Sequence, residues 1–375
     1  MYPLKDLVIY FLKLGTWGFG GPVALVGYMH RDLVEEKKWI SEDDYKEGLA
    51  LSQLAPGPLA AQLSIYLGYV HHGILGATLA GISFVLPSFL MVLLIGYAYV
   101  QFGGLPWMQA IFYGISAAVI GIISIGGYKL TIKSIGSDKL LWAIFFVLAV
   151  VTFITQEENI WLVILSGVAV WLAKAPPKFS ATTLAIVPAA FFGFFSVTSE
   201  SKLAEIAWFF TKAGAFVFGS GLAIVPFLYG GVVKEYHWLN EQQFLDAVAV
   251  AMITPGPVVI TVGFIGYLVA GIPGACVAAM ATFLPCYLFT VIPAPYFKKY
   301  GKKPAIKAFV DGVTAAAVGA IVGAVLVLAK RSLTDVPTII IAISTMLLLL
   351  KFKKLQEPFI IMAAALIGLF LKLMI

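Results

Sequence analysis

Charge is scarce in this chain. Asp, Glu, Lys and Arg together supply 12% of its 375 residues, where a soluble globular protein carries about a quarter. Apolar residues reach 61%. That balance excludes a domain with a solvated surface and fits an all-α polytopic membrane protein in a lipid bilayer. Cysteine and histidine are scarce too, at two and four. Cys276 and Cys286 share one apolar run, and ten residues of helix span about 15 Å, beyond disulfide reach. There is no CxxC, no HExxH and no His pair at i, i+4. Ligand sets for zinc or a redox centre are therefore missing, and neither a metal nor another cofactor is expected. The adjacent His71 and His72 point to different helix faces and read as an interfacial turn. No Walker motif argues for ATP use, and the opening residues lead us to expect no removable signal peptide. The net charge of +6 comes from short Lys clusters between apolar runs. Those mark cytoplasmic loops, not a nucleic-acid surface.

What is present is a repeated break. "LAPGPL" (Leu54–Leu59) and "ITPGPV" (Ile253–Val258) each place Pro-Gly-Pro inside an apolar stretch, 199 residues apart. The same register aligns Phe11, Lys13 and Gly15 with Phe210, Lys212 and Gly214. It also aligns "FGGPVA" at Phe19 with "FGSGLA" at Phe218, and Trp39 with Trp238. After a one-residue gap, "LPSF" at Leu86 meets "LPCY" at Leu284, and "GISAAVIG" at Gly114 meets "GVTAAAVG" at Gly312. The chain reads as two copies of one unit: 1–175, a linker over 176–202, and 203–375.

Loop charge gives their orientation. Lys and Arg mark the cytoplasm, which puts 128–139 and 174–178 inside and the uncharged 101–106 outside. The counterpart of 101–106 is the strongly basic 293–303, which therefore lies inside; "KRSLTD" at 330–335 is the one loop against this pattern. Equivalent loops thus fall on opposite faces, and an extra apolar segment at 181–197 supplies the inverting crossing. About six segments per copy plus this linker are expected, with the first two of each copy either full spans or re-entrant. An inverted repeat with broken helices is the architecture of secondary transporters.

The breaks have a chemistry. Ser41 and Asn240 are N-caps, with Asp44 and Gln243 at the third helical position and Ile40–Tyr45 and Leu239–Phe244 at staple spacing. The helices they start must end before Pro56 and Pro255. New helices follow, with Pro58 and Pro257 at the first helical position and Gly57 and Gly256 at the cap. The N–H groups of Gly57, Leu59 and Ala60, and of Gly256, Val258 and Val259, are left as donors at the positive end of a helix. Such ends bind anions. The glycine-rich breaks at Gly18–Pro22, with Gly20 and Gly21, and at Gly219–Gly221, with Ser220, offer the same chemistry. Gln53, Ser52, Gln62 and Thr254 are neutral hydrogen-bonding candidates nearby. Lys13 and Lys212 are equivalent and can neutralise a bound anion, or snorkel to the interface. Glu47 and Asp246 are equivalent acids in the helices leading to the breaks. They are candidates for a coupling proton, or solvated first-turn residues.

"FLKLGTWGFGGPVA" (11–24) and "KKWISEDDYKEGLALSQLAPGP" (37–58), with their second-copy counterparts, resemble the chromate ion transporter family in its long, two-domain form. The resemblance covers both copies, nearly all of the chain outside the linker. It implies chromate transport, usually efflux across the prokaryotic plasma membrane that confers chromate resistance, with Gly20, Gly21, Pro56, Gly57, Pro58, Gly219, Pro255, Gly256 and Pro257 at the motif positions. Three departures make the half-sites chemically unequal: Pro22 stands opposite Gly221, Ser220 opposite Gly21, and Met252 opposite Gln53. Three functions compete: a secondary transporter of chromate, sulfate or a related tetrahedral oxyanion, an anion channel of the same shape, and a membrane-embedded redox enzyme. The missing ligand sets weigh against the last. A homodimer stays open.

Overall fold

The computed structural model describes residues 2–19, 21–102, 105–155, 160–176, 201–216, 224–300, 303–352 and 357–373. The expected inverting segment at 181–197 lies outside them, as do Gly20, Gly219 and Ser220. In chain order the first copy gives α1 (Leu4–Trp17), α2 (Gly21–Met29) running into a π-helical stretch (His30–Glu36), and α3 (Glu42–Leu54). It continues with α4 (Leu59–Phe102), α5 (Pro106–Ile135), α6 (Lys139–Thr155) and α7 (Ile160–Lys174). The second copy gives α8 (Lys202–Phe216), α9 (Ile224–Leu228) with its own π-helical stretch (Tyr229–Glu235), and α10 (Glu241–Ile253). A 3-10 turn (Val258–Ile260) then leads into α11 (Thr261–Val291), followed by α12 (Ala294–Tyr300), α13 (Pro304–Ser332), α14 (Val336–Lys351) and α15 (Glu357–Leu373).

The correspondence between the copies extends to single dihedrals. Lys38 and His237, 199 residues apart, both take positive φ, at 52° and 50°. Trp39 N–H donates to Leu33 O at 2.9 Å, and Trp238 N–H to Val232 O at 2.8 Å. Ser41 Oγ accepts from Asp44 N–H, and Asn240 Oδ1 from Gln243 N–H, as the caps require. In the second copy Gln243 reaches back to the Asn240 N–H and closes a capping box.

The apolar stretch after each break is a hairpin. Eight residues of straight helix would hold Gly68 and Gly76 about 12 Å apart. Yet a Cβ on Gly68 would collide with the Gly76 carbonyl oxygen. The chain of α4 reverses at Gly73, where φ is 57° and ψ is −148°. Gly271 repeats this in α11 at 62° and −152°, and Gly266 meets Gly274 as Gly68 meets Gly76. A short arm of α4 (59–72) therefore folds back on a long arm (74–102). The short arm, at about 1.5 Å per residue, reaches about 21 Å and cannot cross a hydrocarbon core of about 30 Å. The helices α1 and α3, with 14 and 13 residues, are equally short.

The copies interlock. α5 packs against α14 and α15 of the second copy, and α13 packs against α6 and α7 of the first. Glycines let these backbones approach, as is common between membrane helices: Gly114 lies on Ala364, and Gly312 on Ser166. The helix ends show the running directions. The start of α5 meets the start of α14, where Tyr113 OH donates to Asp335 at 2.6 Å, with Lys372 over the Tyr113 ring at 4.7 Å. The far end of α5 meets the end of α7, where Lys174 pairs with Asp138 and holds that carboxyl below the usual carboxylate range. Asp311, near the start of α13, feels both Lys174 and Asp138. α5 and α13 therefore run in opposite directions.

Among the described residues four helical stretches, 59–102, 106–132, 258–297 and 304–330, are long and apolar enough to cross a membrane, the first and third being those that fold back at Gly73 and Gly271. The molecule also presents Leu94, Ile154, Met280, Leu347 and Leu366 on its outside, as a lipid-facing surface does. This is a multi-pass integral membrane protein.

Candidate functional site

Both Pro-Gly-Pro breaks are buried, and each is held by the other copy. Gly57 takes φ 143° and Gly256 takes φ 92°, conformations open to glycine and strained for other residues. A Cβ on Gly57 would lie 3.1 Å from Cys286 Sγ on α11. A Cβ on Gly256 would lie 2.9 Å from Ser88 Oγ on α4. Ser88 and Cys286 are themselves equivalent, 198 residues apart. Val85 and its equivalent Phe283, each three residues before these contacts, both pack against the two largest hydrophobic clusters.

The donors differ from the sequence expectation. Pro58 is the cap, not the first helical residue: α4 starts at Leu59, and the Pro58 carbonyl accepts the first helical bond, from Gln62 N–H at 3.0 Å. Free first-turn donors at this break are thus Leu59, Ala60 and Ala61, with Leu59 buried. In the second copy Pro257 caps a 3-10 turn, not an α-helix. There the Gly256 N–H, expected to be free, donates to Gly18 O at 3.0 Å. The glycine-rich break of the first copy thereby touches the Pro-Gly-Pro of the second. Gly21 opens α2 at φ 70°, and a Cβ there would meet open space.

The other candidates scatter. Gln53 is exposed and Thr254 is buried, its hydroxyl donating to Val250 O and Ala251 O at 3.1 Å. Val258 is half-buried in the 3-10 turn. Lys13 is exposed. It sits two residues from Gly15, which faces Phe84 and Pro87 of α4, and two residues turn about 200° round a helix. Lys13 therefore points away from α4. Lys212 stacks over Trp208 of its own helix at 5.5 Å. Among the described residues neither lysine belongs to the contacts of the breaks. His71 Nδ1 lies 3.2 Å from Tyr2 OH beside the Gly73 reversal, and both cysteines are free thiols.

The two acids, though equivalent in sequence, stand in different settings. Glu47 is half-buried and hydrogen-bonds Tyr66 of its own copy. Asp246 is 3% exposed. It accepts from Tyr99 OH of the first copy at 2.7 Å and from Gln242 Nε2 at 2.8 Å. It also lines a cavity of about 890 Å³ with Tyr99, Tyr113, Asn240, Gln242 and Lys372. Sequence reading missed this cavity, because its walls come from five separate helices. Its one signal was the Asp246–Glu47 equivalence itself.

Comparison with known proteins decides the lineage. A family model described as chromate transporter matches the chain twice, over residues 5–171 and 204–369. The chain belongs to the chromate transporter family. It is 71% identical to a chromate transport protein of Cupriavidus metallidurans, over 98% of this chain and 93% of that one. It is 62% identical to a probable chromate transport protein of Synechococcus elongatus, over 98% and 95%. A chromate transport protein of Pseudomonas aeruginosa is 31% identical over 98% and 92%. No solved structure matches. For this member of the chromate transporter family, the family match on each copy brackets one Pro-Gly-Pro break and its hairpin.

Proposed function

We propose that the chain is a secondary transporter that carries chromate, or a closely related tetrahedral oxyanion such as sulfate, out of the cell across the prokaryotic plasma membrane. Outward movement would confer chromate resistance. The substrate is held where helix N-termini meet at the broken hairpins, and the two copies are inverted with respect to the membrane. One observation carries this reading: each glycine-centred break is buried against the long hairpin arm of the opposite copy. A seat between two moving halves is what alternating access needs. The opposed directions of α5 and α13 support the inversion, and the names of the relatives support the substrate.

Radiolabelled chromate uptake into proteoliposomes tests it, under imposed pH and voltage gradients and with sulfate competing. Saturable accumulation above the external concentration is expected under one of the gradients. Movement that only equilibrates would make the protein a channel. No movement of chromate or sulfate would sink the oxyanion reading.

A further inference from the structure

Gln62 is the unbalanced polar group at the breaks. It is fully buried in α4. Its Nε2 donates to Pro56 O at 2.8 Å. A carbonyl oxygen cannot donate, so this bond fixes which end of the amide is nitrogen. The other end, Oε1, is buried without a donor among the described residues. The amide lies over the break itself, because a Cβ on Gly57 would stand 2.7 Å from both Cδ and Nε2. Natural proteins rarely leave a buried acceptor unmatched.

Two demands therefore arise within the first turn of α4. The first-turn N–H groups of Leu59, Ala60 and Ala61 call for oxygens that accept. The lone Oε1 calls for a proton. An oxyanion that still carries one hydroxyl answers both. We propose that the substrate seat lies at the Gly57 break and that it takes the singly protonated oxyanion, hydrogen chromate, whose hydroxyl donates to Gln62 Oε1. The proposal rests on the oxyanion-transport reading above and names the species transported. The second break makes no such demand. Thr261 stands four residues after Pro257, as Gln62 does after Pro58, and its hydroxyl is satisfied by donating to Val258 O at 2.8 Å. The Gly256 N–H is likewise taken by Gly18 O.

The consequence is specificity. Chromate and sulfate share shape and charge, so N–H donors alone cannot separate them. They differ in protonation: chromate takes up a proton near neutral pH, sulfate only in strong acid. A site built to pair with a substrate hydroxyl rejects the analogue that lacks it, because its buried polar group is then left unpaired.

Equilibrium binding of radiolabelled chromate to the purified full chain, without any gradient, tests this across neutral to alkaline pH. The apparent Kd for total chromate is expected to rise about tenfold per pH unit on the alkaline side, as the protonated fraction falls. Sulfate in large excess should leave it unmoved. Gln62→Met keeps the side-chain length and removes the acceptor. It should weaken binding at neutral pH at least about tenfold and abolish both the pH slope and the bias against sulfate. If that variant does not fold, Gln62→Glu serves: binding should vanish at neutral pH and return in acid, where the carboxyl again donates to Pro56 and accepts from substrate. A flat wild-type Kd overturns the proposal. So does a slope that survives in Gln62→Met, since the proton then belongs to a nearby group such as Cys286, Tyr66 or Glu47. A Gly57→Leu arm separates the two readings. Binding lost there with no pH slope in the wild type leaves the seat standing and removes only the protonated species. Binding retained there removes the seat.

Discussion

Chromate uptake is expected to fall about a hundredfold or more in both Gly57→Leu and Gly256→Leu, equivalent to roughly 3 kcal/mol or more of lost transition-state stabilisation. The reason is local. Both glycines sit in backbone conformations that a side chain strains, at φ 143° and 92°. A Cβ at either position already crowds its neighbour, Gln62 at 2.7 Å or Ser88 at 2.9 Å. Three further carbons must then enter the space in front of the first-turn donors of α4, or between Gly256 and the carbonyl of Gly18. Backbone strain alone is controlled by Gly136→Ala. Gly136 has φ 56° and open space around it, at the α5–α6 turn, so uptake there should stay near wild type. Folding is checked for each variant by monodispersity and helix content in detergent. Normal uptake in folded Gly57→Leu and Gly256→Leu chains would mean that the breaks are structural and that the oxyanion is held elsewhere.

The parts of this site that were legible in the sequence are those set by neighbours along the chain. Ser41 and Asn240 cap their helices, and α3 and α10 stop at Leu54 and Ile253, just ahead of each Pro-Gly-Pro. Capping and proline sterics act over three or four residues, so a short window contains the whole cause. The loops expected at 101–106 and 174–178 likewise fall where α4 ends and α5 begins, and where α7 ends.

What depended on distant partners was not legible. The bond from Gly256 N–H to Gly18 O joins residues 238 apart in the chain, and no local signal announces it. The reversal at Gly73 follows directly on the turn expected at His71 and His72, but a lone glycine is ordinary in a membrane helix, so the fold-back of two packed arms was not legible. Pro273, two residues beyond the equivalent Gly271, is a second hint of a stop. The lysines stayed ambiguous for a different reason. Lys13 and Lys212 recur in the repeat, but recurrence records the helix they sit on, not the face they occupy. The recurring acids show the same limit, since Glu47 and Asp246 share a register, yet Glu47 bonds Tyr66 of its own copy and Asp246 bonds Tyr99 of the other.

That difference sets the last expectation. Asp246→Asn should reduce pH-gradient-driven uptake at least about tenfold while leaving chromate-for-chromate exchange close to wild type, whereas Glu47→Gln should change neither by more than about twofold. An ionised carboxylate at 3% exposure is costly unless it is well paired. Asp246 is held by neutral groups, Tyr99 OH and Gln242 Nε2, with Lys372 lining the same cavity. A proton arriving through that cavity would neutralise it and change what Tyr99 and Gln242 donate to. Tyr99 belongs to the long arm of α4 and Asp246 to α10, so this bond ties the hairpin of one copy to the broken helix of the other. Protonation there bears on the contact that must rearrange if the two copies move against each other. Asparagine keeps an acceptor for one donor and the shape of the side chain, so the tie persists and its proton dependence is lost. Glu47 holds Tyr66, a residue of its own copy. The two transport modes are read in one proteoliposome preparation, which separates coupling from a general loss of activity. Equal loss of driven uptake and exchange in Asp246→Asn would place Asp246 in the fold or the seat. Undiminished driven uptake would remove it from the coupling path altogether.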